Sequence, residues 1–341
     1  MRVAIANLSP PVEKSIDYGA YWAGYASPPS EPRLTLFEQP HDWGFHIHSI
    51  GVYLLDRGEA TKVEFWDYSE QRTGFYLSNG VLHMSFLNDD DVRAYLDRTG
   101  DPDIFINHGP GGAGLLEMLA GRCFRVHVVL ALPSSRRDAG AECYLVDSEE
   151  LLDERSLLYV PVVNTAKVAP GRDAPRRDFV YLAAVYAGKR HDLLLDAVRG
   201  SELTGHLHPV ADPSVLDLRD TRVTTSALNE LDVVELLQTS RIAVYPGDQT
   251  SNPASMWECV AAGLPIVVNE EIAGGRHLVV PGVTGELAPP GQFREVMEDV
   301  LANRGSYRPR EHLERSWDTV ATIESYLAFF ERMGWARHGC S

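Results

Sequence analysis

The sequence predicts an α/β protein built of two parallel-sheet domains. Short apolar runs alternate with amphipathic helical stretches along most of the chain, the pattern of strands buried on both faces by crossover helices. That rhythm breaks at VAPGRDAPRRD (168–178), where two prolines, a glycine and five charges separate apolar runs, and then restarts. The length agrees: 341 residues, at roughly 150 per domain, make two domains.

The first run, Val3–Leu8, reads as a buried strand stopped by Ser9-Pro10-Pro11. A stretch rich in Pro, Gly and Tyr follows to Trp43. A helix is expected from Gly44, carried by Phe45, Ile47, Ile50, Val52, Leu54 and Leu55 and ended by Arg57-Gly58. Strands at 63–68 and 81–86, a helix at 89–98, a strand at 103–107, the glycine-rich loop HGPGGAG (108–114), a helix at 115–120 and a strand at 125–132 complete the first half. The second half reads as strand 179–185, helix 191–198, a strand near 206–211, strand 222–228, helix 230–240 and strand 241–246. Helix 254–263, strand 265–269, helix 293–303 and a long amphipathic helix at 317–333 follow. The default ligand site of two such sheets is the cleft at their carboxyl ends.

Composition excludes several classes. Lys plus Arg number 31 against 48 Asp plus Glu, a net charge of −17, which opposes binding to nucleic acid or anionic membranes. The helices at 44–55 and 89–98 offer no basic face for docking to lipid. No apolar run reaches the ~20 residues of a membrane span, and the N-terminus is too short in its apolar part for a signal peptide. The four cysteines form no C-x-x-C pair. A cytoplasmic protein with reduced thiols is expected. A homodimer is left open. Only four basic residues are lysines: Lys14, Lys62, Lys167 and Lys189.

The most informative stretch is SRIAVYPGDQTSNPASMWECVAAGLPIVVNEEIAGGRHLVVPGVTGELAPPG (240–291). A helix ending in Glu258-Cys-Val-Ala-Ala-Gly263-Leu-Pro265 leads to strand IVVN, then Gly274-Gly275 and Val280-Pro-Gly-Val-Thr-Gly285. With KRHDLLLDAV (189–198) before it and the helix from Ser316-Trp317 after it, this set resembles the GT-B retaining glycosyltransferases, the large family related to sucrose synthase and the bacterial phosphatidylinositol mannosyltransferase. The resemblance covers 178–333 well and is weaker over 1–168. It implies two Rossmann-like domains facing across a cleft: an acceptor-binding domain of 1–168 plus 317–341, the latter a crossover helix, and a donor-binding domain of 175–316.

It also implies site residues. Glu258, a turn into its helix, would accept from the two ribose hydroxyls of a nucleotide. The helix N-terminus at Ala254 and Ser255 suits a diphosphate, because unpaired N–H groups and the helix dipole favour anions there. Lys189 falls at the family's diphosphate lysine, and Arg190 beside it can share the charge. Ser226, Thr250, Ser251 and Asn252 join the donor set. The family carries two glutamates eight residues apart, and the position eight before Glu258 is Thr250; Asp248 or Asn252 are then candidates for sugar hydroxyls. The family's arginine before the lysine falls on Ala183 or Ala184. In the first half, His108 ends a strand at the cleft, where an imidazole can donate a hydrogen bond or shuttle a proton. Gly44 matches in part the family's glycine loop, which lets backbone approach the donor closely. His46 and His48, two apart on a helix, face different sides, so a metal site is not expected. Tyr18, Tyr21, Trp22, Tyr25 and Trp43 could stack on an acceptor.

The expected activity is transfer of a hexose-type sugar from a nucleotide-diphospho-sugar to a small soluble acceptor, with retention. The nucleotide sugar is a co-substrate, and neither a metal nor a cofactor is expected. The alternative is a GT-B-like protein that binds nucleotide or glycan with little or no turnover.

Overall fold

The computed structural model describes residues 1–6, 34–38, 45–68, 75–78, 80–108, 113–129, 140–171, 175–227, 232–248 and 253–336. These form two compact units, Met1–Tyr159 with Val320–Ser341, and Val160–Thr319.

The first unit is built on β1 (Arg2–Ala6), α1 (Phe45–Asp56), β2 (Lys62–Tyr68), β3 (Phe75–Ser78), β4 (Val81–Phe86), α2 (Asp89–Thr99), β5 (Ile104–His108), α3 (Ala113–Met118), β6 (Phe124–Val129), β7 (Cys143–Val146) and β8 (Ser156–Leu158). Its sheet runs β3-β4-β2-β1-β5-β6-β7-β8, parallel throughout except where β3 pairs antiparallel with β4. Strands buried on both faces need near-continuous apolar sequence, and β1 and β5 have it. The exception in β2 is Glu64, which is fully buried. A carboxylate there needs paired donors, and it has them: Arg2 Nη2 at 2.9 Å, Lys62 Nζ at 2.5 Å, Tyr95 Oη at 2.8 Å and Trp66 Nε1 at 2.9 Å.

The second unit contains β9 (Arg177–Leu182), α4 (His191–Val198), β10 (Thr204–His208), β11 (Arg222–Thr225), α5 (Val233–Gln238), β12 (Ser240–Tyr245), α6 (Ala254–Ala261), β13 (Ile266–Asn269), β14 (Gly285–Ala288), α7 (Phe293–Ala302) and α8 (Pro309–Ser316). Its sheet is wholly parallel, in the order β11-β10-β9-β12-β13-β14. The core is filled by Phe179, Tyr181, Trp257, Met256 and Phe293. Helix α6 shows how sequence places a site: Met256, Trp257, Cys259, Val260 and Ala261 are buried, while Ala254, Ser255 and Glu258 stay half-exposed. Residues four apart share a helix face, so Glu258 stands one turn above Ala254. Gly263, at φ 78°, turns the chain out of the helix toward β13.

The division at Tyr159–Val160 lies ahead of the expected linker at 168–178. Val160, Val163 and Val168 are buried in the second unit's core, and Arg310 of α8 donates to the carbonyls of Thr165 and Val168. The segment is held by apolar burial that its prolines and charges conceal. Helix α9 (Thr319–Arg332) returns the chain to the first unit, with Ile323, Tyr326, Leu327 and Phe330 buried. Among the described residues no helix is long and apolar enough to cross a membrane.

Candidate active site

In an open parallel sheet, ligands bind where strand connections depart in opposite directions, outside the carboxyl ends of the strands. In the second unit this switch point lies between β9 and β12, since β9 leads outward to β10 and β12 to β13. The residues beyond those two strand ends are the candidates picked out by sequence.

After β9 the chain makes a short 3₁₀ turn, Ala187–Lys189, and enters α4. Tyr181 Oη donates to the Lys189 carbonyl at 2.7 Å, which anchors the turn to the strand. The half-buried Lys189 ammonium lies 5.3 Å from the centre of the Tyr186 ring. Burial lowers its pKa from 10.5 to about 8. Among the described residues no carboxylate pairs with it, in contrast to Lys62 on Glu64. Arg190 is in the left-handed region, φ 48° and ψ 47°. Its guanidinium is already committed, with Nη1 3.0 Å from Asp248 Oδ2 and Nε 3.2 Å from Asp192 Oδ1. The two basic neighbours therefore differ: Lys189 carries a charge that the described protein does not neutralise, and Arg190 is bridged twice.

After β12 the chain passes Asp248 and reaches α6. Ser255 Oγ donates to the Leu182 carbonyl at 3.0 Å, which ties the first turn of α6 to the end of β9. The N–H groups of Ala254 and Ser255, at the first two helical positions, lie beyond the reach of carbonyls within the helix. Pro253 before them provides no side-chain cap. Lys189, this helix start and Glu258 thus belong to one strand edge.

Ser226 lies two strands away, just beyond β11. Thr224 Oγ1 donates to the Gly205 carbonyl and accepts from His206 Nδ1 at 2.8 Å. The Ser226 hydroxyl then donates to His206 Nε2 and accepts from His208 Nδ1, each at 2.8 Å. Burial pushes His206 down to about 4, so its imidazole is neutral at pH 7. His208 pairs with Leu182 across the ladder, and its carbonyl accepts from Ala183 N at 2.8 Å. Ser226 is therefore engaged in a buried hydroxyl–imidazole chain bordering the same sheet edge.

In the first unit the switch point lies between β1 and β5, and His108 is the last residue of β5. Tyr159, missed in the sequence, is its partner: the phenol and His108 Nε2 are 3.1 Å apart. Burial raises the Tyr159 pKa well above 10, so the phenol keeps its proton beside the ring. Burial also lowers His108 to about 4, so the group hydrogen-bonds as a neutral ring across the physiological range. Tyr159 in turn stacks on Tyr326 of α9, ring centres 6.4 Å apart. An aromatic inside the apolar run 157–163 was the available signal. His46 lies edge-on to His108 at 5.7 Å, whereas His48 packs on Phe65 and His83. The two do face different sides. Among the described residues no group of three or more His, Cys, Asp or Glu could hold a metal ion. Gly44, Thr250, Ser251, Asn252, Tyr18, Tyr21, Trp22, Tyr25 and Trp43 lie outside the described residues.

No protein-family model and no curated protein sequence matches the chain. Solved structures do match. Anabaena HepE, in complex with UDP and glucose, aligns over 96% of this chain and 98% of its own at TM-score 0.66 and 12% identity. The lipopolysaccharide outer core galactosyltransferase WaaB aligns over 97% and 99% at TM-score 0.59 and 14% identity. S. aureus TarM, whose structure holds UDP, aligns over 75% of this chain at TM-score 0.56 and 16% identity, and the chain spans 61% of TarM's length.

The chain has the GT-B fold.

At these identities the likeness is one of architecture. The GT-B fold accounts for the two parallel-sheet units and for α9, which carries the chain back to the first.

Proposed function

We propose that the chain is a glycosyltransferase that moves a hexose-type sugar from a nucleotide-diphospho-sugar to a small soluble acceptor, with retention and without a metal ion. The observation that carries this reading is Lys189, a half-buried ammonium with no carboxylate partner among the described residues. It stands at the switch point of the second sheet, on the strand edge where α6 begins. Such a cation answers an anion brought by the ligand. In this reading Lys189 and the N–H groups of Ala254 and Ser255 hold the diphosphate and stabilise it as it leaves. Glu258 accepts from the ribose hydroxyls. The second unit, proposed as 175–316, binds the donor, with Thr250, Ser251 and Asn252 close to it and Ser226 bordering it. The first, 1–168 with 317–341, binds the acceptor. His108 serves as a hydrogen-bonding ring there, Gly44 allows close backbone approach to the donor, and Tyr18, Tyr21, Trp22 and Trp43 stack on the acceptor. HepE, which has been seen with UDP-glucose, supports a nucleotide sugar as ligand.

A second reading, binding without turnover, is favoured by Thr250 in place of a glutamate. A thermal-shift screen across nucleotide sugars tests the ligand class, and release of nucleoside diphosphate from the stabilising donor tests turnover. Absence of any stabilisation sinks the first reading. Stabilisation without release selects the second.

A further inference from the structure

Arg190 is built into the site in a way that phosphate binding does not explain. A residue bearing a β-carbon adopts the left-handed region at a cost, and such conformations persist where the surroundings demand them. At Arg190 the backbone caps the 3₁₀ turn, its N–H donating to the Ala187 carbonyl at 3.1 Å, and the side chain reaches two carboxylates. Asp192 is on the first turn of α4, and Asp248 lies three residues beyond β12. The bridge to Asp248, 3.0 Å long, joins the turn after β9 to the turn after β12 across the switch point.

Asp248 is held from other directions as well. Its carbonyl accepts from Ala273 N at 3.1 Å, beside Gly274-Gly275, and Asn269 Nδ2 donates to the neighbouring Pro246 carbonyl at 2.8 Å. Its side chain nevertheless keeps 26% of its exposure. The result is a fixed, accessible carboxylate on the same strand edge as a cation proposed to hold a diphosphate. An unpaired carboxylate there would repel the ligand, and Arg190 cancels that charge without removing the acceptor oxygens. Toward a phosphorylated ligand, a charge-compensated carboxylate can accept hydrogen bonds from neutral hydroxyls.

We infer that Asp248 is the specificity residue that reads hydroxyls of the transferred sugar, and that Arg190 is its positioning residue rather than a diphosphate ligand. The inference rests on the nucleotide-sugar reading above and assigns the sugar end of that ligand.

The test compares two probes, UDP and UDP-glucose, by calorimetric titration on the full chain. Asp248→Asn and Asp248→Ala weaken UDP-glucose about ten-fold or more while leaving UDP nearly unchanged, since a lost hydrogen bond to a charged group has that size. Arg190→Gly gives the same selective loss. Glycine accepts the left-handed backbone without strain, so this variant keeps its fold, which its thermal midpoint checks. Arg190→Lys restores part of the loss, and the Asp248→Ala/Arg190→Gly double variant is no weaker than Asp248→Ala alone. Lys189→Ala weakens both probes alike. If Arg190→Gly weakens UDP as much as Lys189→Ala does, Arg190 is a phosphate ligand and the inference is overturned. Unchanged UDP-glucose binding in Asp248→Asn overturns it too, with the nucleotide reading intact. A wild-type chain that binds none of UDP, ADP, GDP or their glucose esters overturns both.

Discussion

Replacing Lys189 with methionine should make the ligand-free protein more stable and unable to bind nucleotide. Burial takes the amine from 10.5 to about 8, a preference for the neutral form worth about 3 kcal/mol at most. At pH 7 the group is still charged, so the folded protein bears that cost with no carboxylate to offset it among the described residues. The sign follows from proton counting. Between about pH 8 and pH 10.5 the unfolded chain holds the proton and the folded chain does not, so wild-type stability rises with pH across that window. Below it the penalty is constant. Methionine fills similar volume without charge and removes both the penalty and the slope. The residue is partly exposed, so the expected gain is about 1–2 kcal/mol, or roughly 2–8 °C in a unit of this size. Calorimetric melts of wild type and Lys189→Met at pH 7 and pH 9.5, with and without UDP or UDP-glucose, measure all of this. The reasoning is refuted if the variant melts below wild type at pH 7, or if it keeps the ligand-induced rise.

Glu258→Gln should weaken nucleoside diphosphate binding about ten-fold; titration with UDP against uridine-free pyrophosphate locates the loss at the ribose. Stability should fall as the pH drops below 6.5. The imidazoles of His108, His191, His206 and His277 are held near 4 by burial, so the unfolded chain takes up their protons first; urea midpoints at pH 7.5 and pH 5 check the direction. Gly285→Ala should cost about 3 kcal/mol or prevent folding of the second unit, since its β-carbon would overlap the Ile266 carbonyl in the neighbouring strand; circular dichroism and yield of soluble protein report it.

The strands and helices that carry the second unit were readable because their signals are local. Helix 191–198 has an apolar period and strand 266–269 is an unbroken apolar run, and both appear close to their expected bounds. The short strands β3, β7, β8 and β14 were not foreseen. Lys189 was legible from its scarcity and place. The division of labour between Lys189 and Arg190 was not, because it depends on Asp248, 58 residues away in sequence. Tyr159 escaped for the same reason: it is 51 residues from His108, and only the parallel order of β5 to β8 brings them together.

Because α9 belongs to the first unit, the second is an insertion within it, and this orders events during synthesis. Residues 160–319 can leave the ribosome and close their own sheet while the first unit still lacks its final helix. Until that helix arrives, the faces that meet Tyr326 and Phe330, including the rings of Tyr159 and Phe124, have nothing to cover them. A chain stopped just short of α9 would therefore be born with its Lys189 site finished and its other half sticky, a candidate for chaperone capture rather than release.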